Sequence, residues 1–303
     1  MRDKFKYTVV ESDSGEKIKN IIKKQYGFSS RLLTKLKFGN CVYLNGQPAK
    51  MHMQPVTGDI IEISLPEERS EFIPENIPID IVYEDNDLII INKQPGHVVH
   101  PTKGHPSNTI ANGIMKYMID THQSFKIRFI NRLDMDTTGL LIVSKNSHCQ
   151  DHLSKQMKEN KVKKIYVALV KGCLENDKGK IDAPIGRLYE DHVLRGVVSD
   201  GFPSVTNYKV LQRYCDNYTL VELQLETGRT HQIRVHMNHI GHPVLSDALY
   251  DEVMPDIIKR QALHASYLSF IHPITGEPVS FYAPVPEDIK QAIEKINKHI
   301  TVL

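Results

Sequence analysis

The sequence predicts an α+β protein in which a mixed, mostly antiparallel sheet with flanking helices follows a small N-terminal α/β domain. Segments with strand character outnumber those with helical periodicity, and tight turns join most of them, which favours antiparallel pairing over repeated βαβ units. A stretch rich in Pro and Glu, residues 66–78, is predicted to be a linker. The predicted domains are therefore residues 1–65 and 79–303.

The first domain is predicted to hold two short helices followed by a small hairpin. In IKNIIKKQYGF, the apolar residues Ile18, Ile21 and Ile22 fall on one helical face and lysines fall on the other. SSRLLTKLKFG repeats this pattern, with a serine that can cap the helix and a glycine that can end it. CVYLNGQPA contains an Asn-Gly turn, and together with DIIEISL it predicts short strands.

The second domain is predicted to combine strands, hairpins and four helices. Strands are predicted in IDIVYEDNDLIIINK, GLLIVSK and KKIYVALVKG, and hairpins in TNYKVLQRY with YTLVELQLE, turning at Asp216-Asn217, and in ALHASYLSFIHPITGEPVSFYAP. Helical spacing of apolar residues marks TIANGIMKYMI, SHCQDHLSKQMKEN, RTHQIRVHMNHIG and VPEDIKQAIEKINKHI.

Composition excludes several classes of protein. A hydrophobic content of 40% with 24% charged residues is ordinary for a globular chain and excludes disorder, collagen and coiled coil as descriptions of the whole. The apolar runs are too short for a membrane span, and the first residues lack the apolar segment of a signal peptide. Four scattered cysteines fit a reducing compartment, so we expect a cytoplasmic protein with no membrane partner.

Positive charge is concentrated in the first domain. From Lys17 to Gly58 the sequence has eight basic residues and no acidic one. This pattern is typical of a module that binds a polyanion, because each Lys or Arg near a phosphate releases a condensed counterion. Arg31, Lys35 and Lys37 are predicted to face solvent on the second helix and to make such contacts. A solvated basic surface without a ligand is the alternative.

Motifs for several other chemistries are absent from the sequence. It has no phosphate-binding loop of the Walker type, no nucleophile elbow and no zincin motif. HQIRVHMNH contains three histidines, but neither an acid nor a cysteine lies nearby in the sequence. Core packing or hydrogen bonding to the backbone is therefore favoured over metal binding, and no metal is predicted.

The segment NRLDMDTTGL places Asp134 and Asp136 beside Arg132, directly before an apolar strand. A carboxylate next to a buried strand must be paired or neutralised, because its isolated burial is costly. Arg229, which a Thr-Gly turn exposes at a helix start, is predicted to be the distant partner. The alternative is a polar turn in which Asp136 or Thr137 acts as a cap.

The order of four motifs resembles the RluA-type RNA pseudouridine synthase family. The motifs are NRLDMDTTGLLIVSK, KIYVALVKG, TGRTHQIRVHMNHIGHPVLSD and ALHASYLSFIHPITGEPVSFYAPVP, and IVYEDNDLIIINKQPGHVVHPTKGH is similar to the first strands of the family's domain. The resemblance spans roughly residues 80–288. The basic first domain resembles the α-L RNA-binding module that several members carry at the N-terminus.

The resemblance implies an isomerase that converts uridine to pseudouridine in RNA without a cofactor or metal. It implies that Asp134 is the catalytic aspartate, that Tyr166 packs on the uracil or removes a proton, and that Arg229 pairs with the aspartate. It further implies that Arg132 fills the gap left by an extruded uridine and that Leu263 lines the pocket. Large-subunit ribosomal RNA is the expected substrate, and a monomer is the expected state.

Two features depart from the family's pattern, and two other functions stay open. Asn131 stands where many relatives have His, so a histidine cannot act there, and GEKIKNII replaces a segment that more often contains Arg-Leu-Asp. One alternative is an RNA-binding protein without catalysis. The other is a nuclease that uses Asp134 and Asp136 and depends on a divalent metal.

Overall fold

The computed structural model describes residues 5–189, 193–214 and 217–300, with only the backbone described for residues 299 and 300. Within these ranges the chain forms six α-helices, sixteen strands and a short 3₁₀ helix, Glu11–Asp13. The helices are α1 (Ile18–Tyr26), α2 (Ser30–Phe38), α3 (Ile110–Asp120), α4 (Ser147–Lys158), α5 (Gln232–His239) and α6 (Glu287–Ile300). The strands are β1 (Phe5–Thr8), β2 (Val42–Leu44), β3 (Gln47–Pro48), β4 (Ile60–Ile63), β5 (Ile81–Glu84), β6 (Leu88–Lys93), β7 (Arg128–Phe129), β8 (Thr138–Ser144), β9 (Lys163–Lys171), β10 (Lys178–Asp182), β11 (Ile185–Arg187), β12 (Arg195–Val197), β13 (Val205–Tyr214), β14 (Tyr218–Leu225), β15 (Leu263–Ile271) and β16 (Pro278–Tyr282).

Residues 5–63 build a small antiparallel sheet covered by two helices. Its strand order is β1-β4-β2-β3, and β1 is a strand that the sequence did not predict. Both predicted helices are confirmed, since α1 buries Ile18, Ile21 and Ile22 and α2 buries Leu33 and Leu36 in one shared core. The apolar spacing read from the sequence therefore corresponds to the buried face of each helix.

The second sheet has ten strands and is mixed. Its main order is β10-β13-β14-β9-β15-β8-β6-β5, with β16 beside β15 and β7 beside β8. Among the described strands, β8 and β15 form the one parallel pair, and the other pairs are antiparallel. The predicted α+β class with a mostly antiparallel sheet is confirmed. The turn predicted at Asp216-Asn217 lies partly outside the described residues.

The two parts of the chain have separate cores and meet at an aromatic cluster. The buried core of the first part comes from residues 9–63, and the partly buried residues packed against it lie between Phe5 and Leu65. This supports the predicted division of the chain, although that division stays a prediction. Phe5, Tyr26 and Phe28 contact one another, and the rings of Phe5 and Phe28 meet His148 on α4 edge to face. Burial lowers the pKa of His148 to about 3, so its ring is neutral at pH 7 and packs as an aromatic.

The start of β8 is the point where the acidic loop, residues 131–137, meets the large sheet. All seven residues of β8 are buried between β6 and β15. Gly139 has a φ of +109°, and a Cβ at this position would lie 2.2 Å from the carbonyl oxygen of Ala265 on β15. Glycine is therefore required for the close approach of the two strands that brings the acidic loop to the middle of the sheet.

We expect Gly139→Ala to lower the free energy of unfolding by roughly 3 kcal/mol or more, because the new Cβ meets backbone that cannot move aside. Gly241→Ala is the matched control, since its φ of +83° is also positive but nothing lies within 4 Å of the added carbon. The control should lower the free energy of unfolding only by the cost of the backbone conformation, about 1 kcal/mol. Urea unfolding measures both effects, and equal values would contradict the role of the close approach to Ala265.

Candidate active site

Asp134 lies in a turn that leads into β8. The amide of Thr137 donates to the carbonyl oxygen of Asp134 at 3.2 Å, and the Asp134 side chain is 19% exposed. Upstream in the same loop, the Asn131 side chain donates to the carbonyl of Leu140 at 3.1 Å and accepts from the amide of Ile142 at 2.8 Å. Asn131 therefore binds the edge of β8, and its side-chain amide fixes the start of the acidic loop to that strand.

The partner of Asp134 is Arg234 on α5. One guanidinium nitrogen donates to Oδ2 of Asp134 at 2.9 Å, while Nε and the other terminal nitrogen each donate to Asp247 at 2.6 Å. Burial alone would lower the pKa of Arg234. The hydrogen bonds and negative charge of Asp247, together with those of Asp134, outweigh burial and raise the pKa of Arg234 above its usual value. A permanently charged guanidinium thus joins the two carboxylates, and Nε2 of His231 lies 3.9 Å from the other oxygen of Asp134.

The predicted pairing of Arg229 with Asp134 is wrong. Arg229 lies in the exposed turn before α5, where its guanidinium stacks over Phe202 at 5.4 Å and Nε donates to the Pro203 carbonyl at 3.4 Å. The helix begins only at Gln232, so the residue that points inward is Arg234, at the third helical position. A sequence clue existed, because an arginine inside a buried helical stretch needs an acidic partner.

Two further buried cations hold the backbone of the acidic loop. Nζ of Lys93 donates to the carbonyls of Gln94, Met135 and Thr137 at 2.8, 2.7 and 3.0 Å. Burial is the main reason that the pKa of Lys93 falls to about 7. Three acceptors nevertheless match the three donors of the ammonium form, so we regard the charged form as the one that this geometry favours.

Arg260 is the second cation that binds the backbone of this loop. Its guanidinium donates to the carbonyl of Asp136 at 2.9 Å, and it forms a bidentate pair with Asp288 on α6 at 2.7 and 2.9 Å. The carbonyl oxygens of three consecutive residues, 135 to 137, are thus each bound by a buried cation. The sequence did not predict either contact, because Lys93 lies about 40 positions before the loop and Arg260 lies more than 120 positions after it.

The five residues predicted for catalysis and substrate binding line one cleft. Tyr166 on β9 and Leu263 on β15 form its apolar wall, and they are 7% and 4% exposed. The hydroxyl of Tyr166 has no hydrogen-bond partner among the described residues, and Arg132 and Arg229 lie at the open rim. Next to Asp134 the cleft is narrow, about 50 Å³, and it shares walls with a neighbouring cavity of about 620 Å³.

The chemical state of Tyr166 follows from its surroundings. Burial, and then the negative charge of Asp134, raise the pKa of Tyr166 well above its usual value. The phenol is therefore protonated at neutral pH and can donate a hydrogen bond to a ligand in the cleft.

The side chain of Asp136 makes a different contact from that of Asp134. It accepts a hydrogen bond from the amide of Gly96 at 3.2 Å.

The three predicted RNA-binding residues on α2 are not equivalent. Arg31 and Lys37 are exposed, as expected, and Lys37 also stacks over the neighbouring Phe38 ring at 5.3 Å. Lys35 is only partly buried, with 37% of its side chain exposed, and it pairs with Glu68 at 2.8 Å, so its contact with RNA stays a prediction. Glu68 lies in the predicted linker, after the basic run. The sequence did not predict that this segment contacts α2.

The described residues hold neither a metal cluster nor a membrane-spanning helix. No group of three or more His, Cys, Asp and Glu side chains in residues 5–189, 193–214 and 217–300 is arranged to hold a metal ion. In the same ranges, the helices are too short or too polar to cross a bilayer.

Comparison with known proteins identifies similar chains. The family described as RNA pseudouridylate synthase matches residues 87–239. An uncharacterized RNA pseudouridine synthase of Bacillus subtilis (strain 168) is 41% identical, over 90% of this chain and 97% of its own length. Ribosomal large subunit pseudouridine synthase D of Haemophilus ducreyi is also 41% identical, over 79% of this chain and 77% of its own.

Solved structures show the same architecture. Human RNA pseudouridylate synthase domain containing 1 superposes with a TM-score of 0.56 at 28% identity, covering 72% of this chain and 94% of the human one. Human RNA pseudouridylate synthase domain containing 4 has a TM-score of 0.59 at 21% identity, covering 72% and 92% of the two chains, and at that identity it supports the fold alone.

We expect Arg234→Met to lower the free energy of unfolding at pH 7 by about 3–5 kcal/mol, because it leaves two carboxylates without their shared cation. Asp247, which has no exposed side-chain surface, is the more severely affected of the two. Arg229→Met removes the same charge from the exposed turn and should change the value by no more than about 0.5 kcal/mol. Chemical unfolding of the two variants provides the comparison, and equal effects would contradict the assignment of Arg234.

Proposed function

Because this chain belongs to the RNA pseudouridylate synthase family, we propose that it isomerises uridines of large-subunit ribosomal RNA with Asp134 as the nucleophile. The family places it among isomerases that act on uridine in RNA. The choice of RNA rests on relatives such as the Haemophilus ducreyi protein, whose name states that it acts on the large ribosomal subunit. The observation that carries the choice of nucleophile is the position of Asp134, fixed by Arg234 in a cleft walled by Tyr166 and Leu263.

The reaction requires a nucleophile, a pocket that retains uracil, and an acceptor for one proton. The N1 glycosidic bond breaks, the uracil turns, C5 bonds to C1′ of the ribose, and the proton on C5 is replaced by one on N1. Atoms and electrons balance within the nucleoside, so we propose that no cofactor takes part. Asp134 can attack either the sugar or the base, and both routes use the same carboxylate oxygen chemistry.

The walls of the cleft suit the detached base. We propose that Tyr166 lies against the uracil ring and donates a hydrogen bond, since its unpartnered hydroxyl is held protonated by burial. Proton removal by Tyr166 would need the ionised phenolate, which its surroundings disfavour. Leu263 keeps water from one side of the pocket, which protects a base that has left its sugar.

The rim of the cleft suits an extruded nucleotide. A uridine in a structured RNA must leave its stack to reach Asp134, and a side chain that enters the vacated space stabilises that state. We propose that Arg132, which is exposed and has no ion-pair partner among the described residues, does this. We propose that Arg229, whose guanidinium lies over Phe202 at the same rim, binds the RNA backbone and does not pair with the nucleophile.

The nuclease alternative has less support. It requires two carboxylates that share a metal, yet Asp136 turns its side chain to the amide of Gly96. An RNA-binding protein without catalysis is the other alternative, and a turnover assay separates it from an isomerase. Our proposal includes a monomer in the cytoplasm, a compartment that suits the free thiols of Cys41, Cys149 and Cys173.

We expect Asp134→Asn to lower turnover by roughly a thousandfold or more, because the amide cannot act as a nucleophile, while RNA affinity changes only a few fold. Release of tritium from RNA that contains 5-tritiated uridine measures the turnover. Asp136→Asn is the control and should retain most of the activity. Loss of turnover in both variants, together with RNA cleavage by the unaltered protein, would favour the nuclease; retained turnover by Asp134→Asn would remove Asp134 from the mechanism.

We expect the combined substitution Arg31→Gln with Lys37→Gln to weaken RNA binding and to reduce the slope of log affinity against log salt. The reduction should be roughly 0.7–0.9 for each phosphate that the variant no longer neutralises. Lys290→Gln with Lys298→Gln is the control, because it removes the same charge from the exposed surface of α6. Titrations of labelled ribosomal RNA fragments over a salt series give the slopes. An unchanged slope for the α2 pair would mean that this helix does not contact RNA.

A further inference from the structure

Lys164 is a buried lysine beside the candidate active site. It lies on β9 two residues before Tyr166, so both side chains project from the same face of the strand. Its neighbours in sequence, Lys163 and Ile165, project from the other face, and Lys163 is exposed. Lys164 is only 7% exposed, a degree of burial that lysine rarely shows without a partner.

Lys164 is unusual among the buried cations because nothing neutralises it. Six Lys and Arg side chains are buried in the described part of the chain, and five of them contact carbonyl or carboxylate oxygens, namely Lys93, Arg128, Lys145, Arg234 and Arg260. The ammonium of Lys164 has neither a hydrogen-bond acceptor nor an acidic partner among the described residues. Burial lowers the pKa of Lys164, and no neighbouring charge acts to restore it.

The cavity that Lys164 lines is open and predominantly basic. This space of about 620 Å³ continues from the Asp134 cleft and shares Arg132, Tyr166 and Arg229 with it. Lys158 adds another positive charge, and the acid on its lining is Glu226, which accepts a hydrogen bond from Asn207 at 2.8 Å.

Gly228 keeps the space next to the ammonium free. A Cβ added at Gly228 would lie 3.9 Å from Nζ of Lys164, with no other heavy atom within 4 Å. A side chain longer than that of alanine has room to extend from this position toward Nζ. The ammonium therefore has open space beside it in the larger cavity, which both residues line.

We propose that Lys164 binds a backbone phosphate of the RNA strand, next to the uridine that enters the Asp134 cleft. This rests on the proposed function, which supplies RNA as the ligand. A compact ammonium with three free donors matches a phosphate oxygen, and the two spaces are close enough for one nucleotide to enter the cleft while its neighbour's phosphate lies in the larger cavity. Binding gives the ammonium the counter-charge that the free protein lacks.

A purely structural role makes a different prediction. If Lys164 only covered apolar surface with its aliphatic stem, methionine would replace it without a change in RNA binding. If it bound phosphate, Lys164→Met would weaken binding of a labelled single-stranded RNA of mixed sequence roughly tenfold and reduce the salt slope by about 0.7. The free variant would be as stable as the unaltered protein or more so, because an unpartnered buried charge has been removed. Lys163→Met is the matched control and should change neither affinity nor slope.

A second substitution supplies the missing counter-charge within the protein. Gly228→Asp places a carboxylate within hydrogen-bonding reach of Nζ, so it should raise the unfolding temperature and weaken RNA binding. Gly228→Ala, whose Cβ makes only an ordinary van der Waals approach, should do neither. Combined with Lys164→Met, the aspartate should no longer stabilise the protein, because that effect depends on the lysine.

The outcomes separate this proposal from the proposed function. Unchanged affinity and slope for Lys164→Met, or a marked drop in the stability of that variant, overturns the phosphate site. A stabilising effect of Gly228→Asp that persists without Lys164 overturns it as well. If the unaltered protein releases no tritium from uridine-labelled RNA but its affinity still depends on Lys164, the isomerase proposal fails and the phosphate site stands.

Discussion

The buried guanidinium of Arg234 is the interaction on which the candidate site depends. It joins Asp134 from the acidic loop to Asp247 from the segment after α5, and so brings together parts of the chain more than a hundred positions apart. Two carboxylates in so little water would repel each other without a cation between them. The same arginine bonds one oxygen of Asp134, which lines the cleft, so the arrangement that stabilises the fold also orients the nucleophile that we propose.

Hydrogen bonds from two further buried cations hold the backbone of the acidic loop. Within the loop, Lys93 and Arg260 bind backbone carbonyls and not side chains, so these contacts do not depend on the identity of Met135 or Asp136. Gly139 adds the close approach of β8 to β15. The carboxylate that we propose as the nucleophile benefits from a backbone bound by two cations, because small displacements of a reacting group reduce rates steeply.

Local patterns predicted much of the fold, and interactions between distant residues were the part that they could not predict. The isoleucines of α1, the Asn-Gly turn and the buried run of β8 each carry their own structural signature within a few residues. The resemblance to a family identified the five residues predicted for catalysis and substrate binding, and all five line the cleft. It could not distinguish Arg229 from Arg234, which share one short motif and differ in whether they precede or enter α5. The pairing of Lys35 with Glu68 likewise depends on how the segment after β4 returns to α2.

The bond between Arg260 and Asp288 has a consequence for biosynthesis. Asp288 lies near the start of α6, the last helix that the structure describes, while every residue lining the cleft comes earlier in the chain. A nascent polypeptide that has left the ribosome only as far as β16 already contains Asp134, the nucleophile that we propose. It still lacks Asp288, which binds one of the two cations that hold the acidic loop. If the proposed roles hold, catalytic activity would arise late in translation, after the N-terminal domain that we propose to bind RNA has emerged.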